Sequence, residues 1–222
     1  GRNEKRLRKV GESCQAIKTI VADLGQRDGR DAIVREIHCS VPNLIINCAG
    51  FGLYGDAIVG STKAQLNILE VNGVAPLELT LEGAKALQKN QKRGVILNIS
   101  SMAGEFVSPG VSVYGASKAF LTRFSQAVDF ELRSSGIRVL ASLPGMVATD
   151  FANRAAARKV RLKNPFVMNP QFVARQIYKQ IMTRKRVMRF HWPYRVSYAF
   201  TRLFGFSPLI QKIIYNNVTS RL

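Results

Sequence analysis

The feature that most constrains this chain is an alternation. Short, almost wholly apolar runs at Leu44 to Asn47, Gly94 to Ile99 and Arg138 to Leu143 are separated by long helix-like stretches. Strands this short and this apolar suit burial on both faces, and a helix between successive strands forces a crossover that leaves them parallel. The pattern predicts an α/β fold, a doubly wound parallel sheet. Helical stretches are expected from Glu4 to at least Val10, Arg30 to His38, Lys63 to Asn90 with Pro76 inside it, Val113 to Gly136, and Pro170 to Met182. A further β run is expected at Ala16 to Val21, ending at Asp23-Leu24. Beyond Pro170 the texture changes. Thr183 to Phe190 reads as a basic turn or strand, and Tyr194 to Phe204 and Pro208 to Val218 read as short helices. In the last, Leu209, Ile210, Ile213, Ile214 and Val218 share one face.

At 222 residues and 46% hydrophobic content, the chain can bury one well-packed core. Its three cysteines, Cys14, Cys39 and Cys48, are odd in number and lack metal-ligand spacing. That argues against a disulfide framework and against any metal, and predicts a reducing, cytoplasmic setting. No apolar run reaches spanning length and the first residues are polar and basic, so neither a transmembrane helix nor a signal peptide is expected. The net charge of +19 is uneven: fifteen Lys and Arg lie between Phe151 and Leu222 with no Asp or Glu, leaving eighteen basic against fourteen acidic residues before them. Such a tail reads as a solvated face, an attraction to anionic lipid headgroups or a nucleic-acid patch. No nucleic-acid motif accompanies it, so nucleic acid is not expected as a partner.

Tyr114 and Lys118 stand four apart in Tyr114-Gly115-Ala116-Ser117-Lys118, so on a helix they share one face. A phenol titrates near ~10, and a neighbouring cation is expected to pull that value down. A surface tyrosine and lysine would account for this spacing alone. Ser101, thirteen residues earlier, follows directly after an expected strand. Strand ends in open α/β sheets are where ligands bind, and Asn47-Cys48-Ala49-Gly50 and Pro144-Gly145 also follow strands.

These motifs together resemble the short-chain dehydrogenase/reductase family, from Gly1 to about Asp150 and beyond. Asn47-Cys48-Ala49-Gly50 is similar to the family's N-N-A-G with one substitution, and Pro144-Gly145-Met146-Val147-Ala148-Thr149 to its P-G-x-V-x-T. The resemblance implies a Rossmann-like core over residues 1–165 and a basic helical C-terminal extension, 166–222, of the same domain. It implies a catalytic tetrad of Asn72, Ser101, Tyr114 and Lys118. In it Tyr114 exchanges a proton with the substrate oxygen, Ser101 polarises that oxygen, Lys118 lowers the tyrosine's pKa and holds the nicotinamide ribose, and Asn72 positions a proton-relaying water. Cofactor contacts are implied for Arg2, Asp23, Asn47, Ala49, Gly50, Pro144, Gly145, Val147 and Thr149, besides Tyr114 and Lys118. Arg2, in a position where the family chooses between a ribose hydroxyl and its phosphate, implies NADP(H) over NAD(H). One departure stands out. The glycine-rich phosphate loop would precede Gly1, so the sheet is expected to lack its first β-α unit here, with that unit supplied by residues upstream.

Phe51, Phe106 and Val147 lie where they could face a substrate, or equally could pack in the core. The block from Gly94 to Asp150 resembles branches acting on 3-oxoacyl, 3-ketosphinganine and 17β-hydroxysteroid substrates, which implies a lipid-like ketone or alcohol. Arg184-Lys185-Arg186, Arg189, Arg195 and Arg202 interleave with Phe190, Trp192, Tyr194, Tyr198, Phe200 and Phe204, a mixture suited to a membrane surface or to covering the enzyme's own core. Peripheral membrane association and a homo-oligomer are expected. The alternative is a noncatalytic or truncated relative acting as a membrane-surface binding protein.

Overall fold

The computed structural model describes residues 1–14, 18–160, 167–190, 196, 198–199 and 207–220. Outside them lie most of the expected helix Tyr194 to Phe204, with Trp192, Tyr194, Arg195, Phe200, Arg202 and Phe204, together with residues 15–17 and 161–166.

Four strands form one sheet in chain order: β1 (Leu44–Asn47), β2 (Gly94–Ile99), β3 (Ile137–Leu143) and β4 (Val187–Arg189), every neighbouring pair parallel. The helices are α1 (Glu4–Ser13), α2 (Arg27–Ser40), α3 (Thr62–Leu69), α4 (Ala75–Lys89), α5 (Ser112–Leu132), α6 (Phe151–Ala155), α7 (Pro170–Thr183) and α8 (Pro208–Thr219). Local chemistry sets several ends. Asn3 caps α1 by accepting from the Arg6 N–H, and Asn169 caps α7 ahead of Pro170, whose missing N–H is no loss in a first turn. Gly136 takes up the left-handed conformation that turns the chain into β3.

Residues alternate across β2 and β3 to two apolar layers. Ile96 and Val139 meet Ala84 of α4 and Val128 of α5 on one face, whereas Val95, Leu97 and Leu140 meet Ile177 and Ile181 of α7 on the other. The sheet is therefore covered on both sides, as the alternation predicts. β4 extends it from the basic extension, and the fully buried Phe190 seals the Met168 and Val173 cluster. Arg189 of β4 donates twice to the buried Glu105 carboxylate, at 3.0 and 2.6 Å, tying this strand to the turn after β2.

Two expectations are corrected. β1 is not buried: Leu44 is 40% and Ile46 45% exposed, β1 standing at the edge of the sheet with a strand partner only in β2 among the described residues. The run expected at Ala16 to Val21 forms no strand among its described residues. Its one ladder-like contact is with Gly1, which donates to the Ile20 carbonyl at 3.2 Å and accepts from the Ala22 N–H at 3.0 Å, the parallel pattern around Val21. A shallow apolar recess runs between Gly1 and Ala22 on one side and Ile46 to Ala49 on the other.

Candidate active site

Ser101, Tyr114, Lys118 and Asn72 converge at the C-terminal ends of β1 and β2. Ser101 leaves β2 with extended backbone and caps a short 3-10 turn, Met102–Gly104, its Oγ accepting from the Ala103 N–H at 3.1 Å. The turn lies so close to α5 that a Cβ at Gly104 would stand 2.5 Å from the Ala119 nitrogen. This contact sets the Ser101 side chain beside the Tyr114 phenol, in the first turn of α5. One helical turn on, Lys118 is 5% exposed. Its Nζ donates to the Ile99 carbonyl at 2.8 Å and lies 5.8 Å from the Tyr114 ring centre.

Asn72 is fully buried in a π turn, Glu70–Val74, between α3 and α4. Its amide donates to the Phe51 carbonyl at 2.8 Å and to Ser117 Oγ at 3.2 Å and accepts from the Phe51 N–H at 3.1 Å; Ser117 in turn donates to the Tyr114 carbonyl at 2.7 Å. One side chain thus ties the loop after β1 to α5. Four residues on stands Pro76, which has no N–H, so the main-chain carbonyl of Asn72 lacks its α-helical donor.

The electrostatics differ from expectation. Burial pushes the Tyr114 phenol up to about 12; the Ser101 hydrogen bond pulls it the other way and Tyr54 adds to the rise. Lys118 does not depress it, because burial lowers the lysine's own pKa to about 8, with Cys48 partly offsetting. At neutral pH the phenol is protonated. An ammonium has three donors, and Lys118 has one acceptor among the described contacts, Ile99 O. Gly50 keeps the space beside it open: a Cβ there would come within 3.3 Å of Nζ and 3.1 Å of Asn72 Oδ1.

The remaining sequence-selected residues divide. Ala49 and Gly50 form the loop after β1. The Asn47 side chain serves the sheet, donating to Asn98 Oδ1 at 2.8 Å and Thr80 Oγ1 at 3.2 Å, which leaves only its backbone facing outward chemistry. Pro144-Gly145 passes the Ser101 turn, the Pro144 carbonyl accepting from the Met102 N–H, and Thr149 bonds back to the Val147 carbonyl. Arg2 and Asp23 pair with each other at 3.5 Å, both accessible. Val147 and Phe106, both half-buried, pack against core clusters. The aromatic that does meet Tyr114 is Phe151, ring centres 5.3 Å apart, with Gly52 fitted against both. Sequence reading missed Phe151 and Ser117, which belong to no motif and whose roles depend on how α6 and the loop after β1 fold back. Among the described residues no group of three His, Cys, Asp or Glu could hold a metal, and no helix is long and apolar enough to cross a membrane.

Comparisons with known proteins agree with this geometry. The sequence pattern described as short chain dehydrogenase matches residues 1–159. An oxidoreductase of Staphylococcus saprophyticus is 29% identical over 156 residues, 67% of this chain and 66% of that protein. The (3R)-3-hydroxyacyl-CoA dehydrogenase of Homo sapiens is 32% identical over 119 residues, 54% of this chain and 46% of that protein. The chain thus spans about two thirds or less of the length of these curated relatives. A solved short-chain dehydrogenase from Sphingobium yanoikuyae, in complex with NADPH, superimposes with a TM-score of 0.81 at 25% identity, covering 92% of this chain and 82% of that one.

Proposed function

The chain belongs to the short-chain dehydrogenase family, and on that premise we propose that it is the catalytic part of an NADP(H)-dependent oxidoreductase that reduces a ketone on a hydrophobic, lipid-like substrate. The observation that carries this reading is the convergence of Ser101, the buried Tyr114 phenol and the buried Lys118 at the ends of the strands, with Lys118 Nζ 5.8 Å from the Tyr114 ring centre. A carbonyl oxygen received by the two hydroxyls is polarised by Ser101 and takes the proton of Tyr114 as negative charge develops on it. A positioned acid of this kind contributes roughly 10²–10⁴-fold to a rate. Asn72 with its freed carbonyl returns protons through water, toward Lys118 buried one turn from Tyr114. The spare donors of Lys118 suit the vicinal hydroxyls of a nicotinamide ribose, beside Ala49, Gly50 and the Pro144 to Thr149 segment. When bound, the cofactor supplies the hydride.

The accessible Arg2 supports NADPH as the preferred form, since a guanidinium pairs well with a ribose phosphate. Among the described residues no glycine-rich turn leads directly from a strand into a helix, since Gly50, Gly52 and Gly55 after β1 are followed by six further residues before α3, so these residues fit the two ends of the cofactor and not its middle. A lipid-like substrate is supported by Phe151 over Tyr114 and by the relative that acts as a hydroxyacyl-CoA dehydrogenase. The basic tail supports an anionic membrane surface as a partner, and the apolar outer face of α3 and α5 supports a homo-oligomer.

The test is consumption of NADPH, and separately NADH, by the protein with 3-oxoacyl thioesters, ketosphinganine and ketosteroids. One class is expected to be reduced, with NADPH preferred, and Tyr114→Phe is expected to lose about 100-fold or more. Oxidation of neither cofactor with any carbonyl overturns the enzyme reading in favour of the noncatalytic binding protein. Turnover retained by Tyr114→Phe removes that residue from its role.

A further inference from the structure

The outer face of α7 and the turn that follows it form a cationic surface with an apolar centre. Arg175, Tyr178, Lys179 and Met182 recur at i, i+3, i+4 and i+7, so they make one stripe, and all four are exposed, Tyr178 and Met182 at 65% each. The opposite side of the helix, Val173, Ile177 and Ile181, is packed against the sheet, so this stripe cannot turn inward. The three residues after the helix, Arg184, Lys185 and Arg186, are also exposed.

Their backbone is fixed. Arg184 ends α7 in the left-handed region, φ 50°, which L residues other than glycine and asparagine rarely enter. The fully buried Gln180 holds the turn there, its amide donating to the Lys185 carbonyl at 2.9 Å and to the Ala141 carbonyl at 3.0 Å. The Arg186 carbonyl accepts from the Ala141 N–H at 2.8 Å. Three cations are therefore presented from a turn bolted to the central sheet. No carboxylate stands within ion-pair distance of any cation of this face among the described residues, and none occurs in the sequence from Phe151 onward.

We propose that this face is the docking surface for an anionic lipid bilayer, with α7 lying in the plane of the interface. The inference rests on the reading of the basic tail as a membrane partner and gives it an address; it is independent of hydride transfer. An amphipathic helix with cations flanking an aromatic and a flexible apolar side chain matches what an interface offers, phosphate at headgroup level and hydrocarbon just below. Phosphate tracking along a nucleic acid would use the cations and leave Met182 without a role.

The test is sedimentation of the full chain with phosphatidylcholine vesicles, with and without phosphatidylglycerol. Binding to the anionic vesicles alone, weakened by salt, is expected. Each basic residue near such a leaflet contributes roughly fivefold to partitioning, so Arg175→Glu with Lys179→Glu is expected to lower it about 25-fold or more. Tyr178→Ser with Met182→Ser is expected to lower it by a smaller factor at every salt concentration. Should the glutamate pair fail to fold, Arg175→Gln with Lys179→Gln makes the same test. Absence of binding to anionic vesicles overturns the membrane reading altogether. Full binding by both variants overturns only the assignment to this face, and retention on RNA by the same residues with no vesicle binding replaces the bilayer with a nucleic acid.

Discussion

Lys118 is 5% exposed and carries a charge, and the two conditions oppose each other. Burial moves its pKa from 10.5 to about 8. Between those values the unfolded chain holds a proton that the folded chain has released, so stability rises with pH across the window; below about 8 the full penalty remains, on the order of 3 kcal/mol. Lys118→Met keeps the length of the side chain and removes the charge. We expect the variant to resist urea better than the parent at pH 7, with the difference narrowing from pH 8 to 10, while ketone reduction is lost. Tyr114 has the opposite sign. Its folded pKa of about 12 exceeds the ordinary 10, so its contribution is present below pH 10 and is lost as pH rises toward 12. Denaturation curves read below pH 10 therefore isolate the lysine, and a parent more stable than Lys118→Met at pH 7 would remove the argument. The stability given up at this position is what places an ammonium with spare donors beside Gly50.

At the scale of elements, the site depends on how tightly the Met102–Gly104 turn sits on α5. Gly104 lies against the Ala119 nitrogen and the Lys118 carbonyl carbon, both main chain, so a methyl group there cannot be accommodated by a side-chain rotation. Gly104→Ala is expected to lift the turn, move Ser101 away from Tyr114 and lower kcat by about tenfold or more, with little change in circular dichroism. Unchanged kcat in the folded variant would show that the turn has room. This kind of dependence explains what the sequence discloses. β2, β3, α5 and α7 are legible because apolar runs and helical periodicity are imposed by the layers they join. Tyr114, Lys118 and Ser101 are legible because they stand in motifs that resemble those of a known family; their spacing alone would also suit a surface tyrosine and lysine. The π turn at Asn72 is not, since one extra residue per turn leaves the apolar pattern nearly intact and only Pro76 hints at it. Nor is the rise in the Tyr114 pKa, which follows from burial by neighbours such as Phe151 that no local pattern announces. Val147 and Phe106 show the same limit in reverse: an apolar residue beside a motif packs inward as readily as it faces a substrate.

At the scale of the whole molecule, charge and apolar surface pull in different directions. Leu66 and Leu69 of α3, Val74 of the π turn, and Phe120 and Phe130 of α5 are all exposed, between 39% and 61%. They belong to packed neighbours: the Phe120 ring lies 3.8 Å from where a Cβ of Gly73 would stand, and Phe120 stacks on Phe124. An apolar face of this extent is unusual on a monomer and suits burial against a second copy through a twofold axis. Each copy carries a net charge of +19, however, so two copies repel until counterions screen them. Salt should therefore strengthen self-association while it weakens binding to an anionic bilayer, because screening removes repulsion in one case and attraction in the other. Sedimentation velocity at rising salt is expected to move the protein from one copy toward two. Phe120→Glu with Phe130→Glu is expected to hold it at one copy, with an unfolding curve close to that of the parent, since both rings are already accessible. A protein that stays at one copy at every salt concentration, or a variant that pairs like the parent, would show that this face meets solvent.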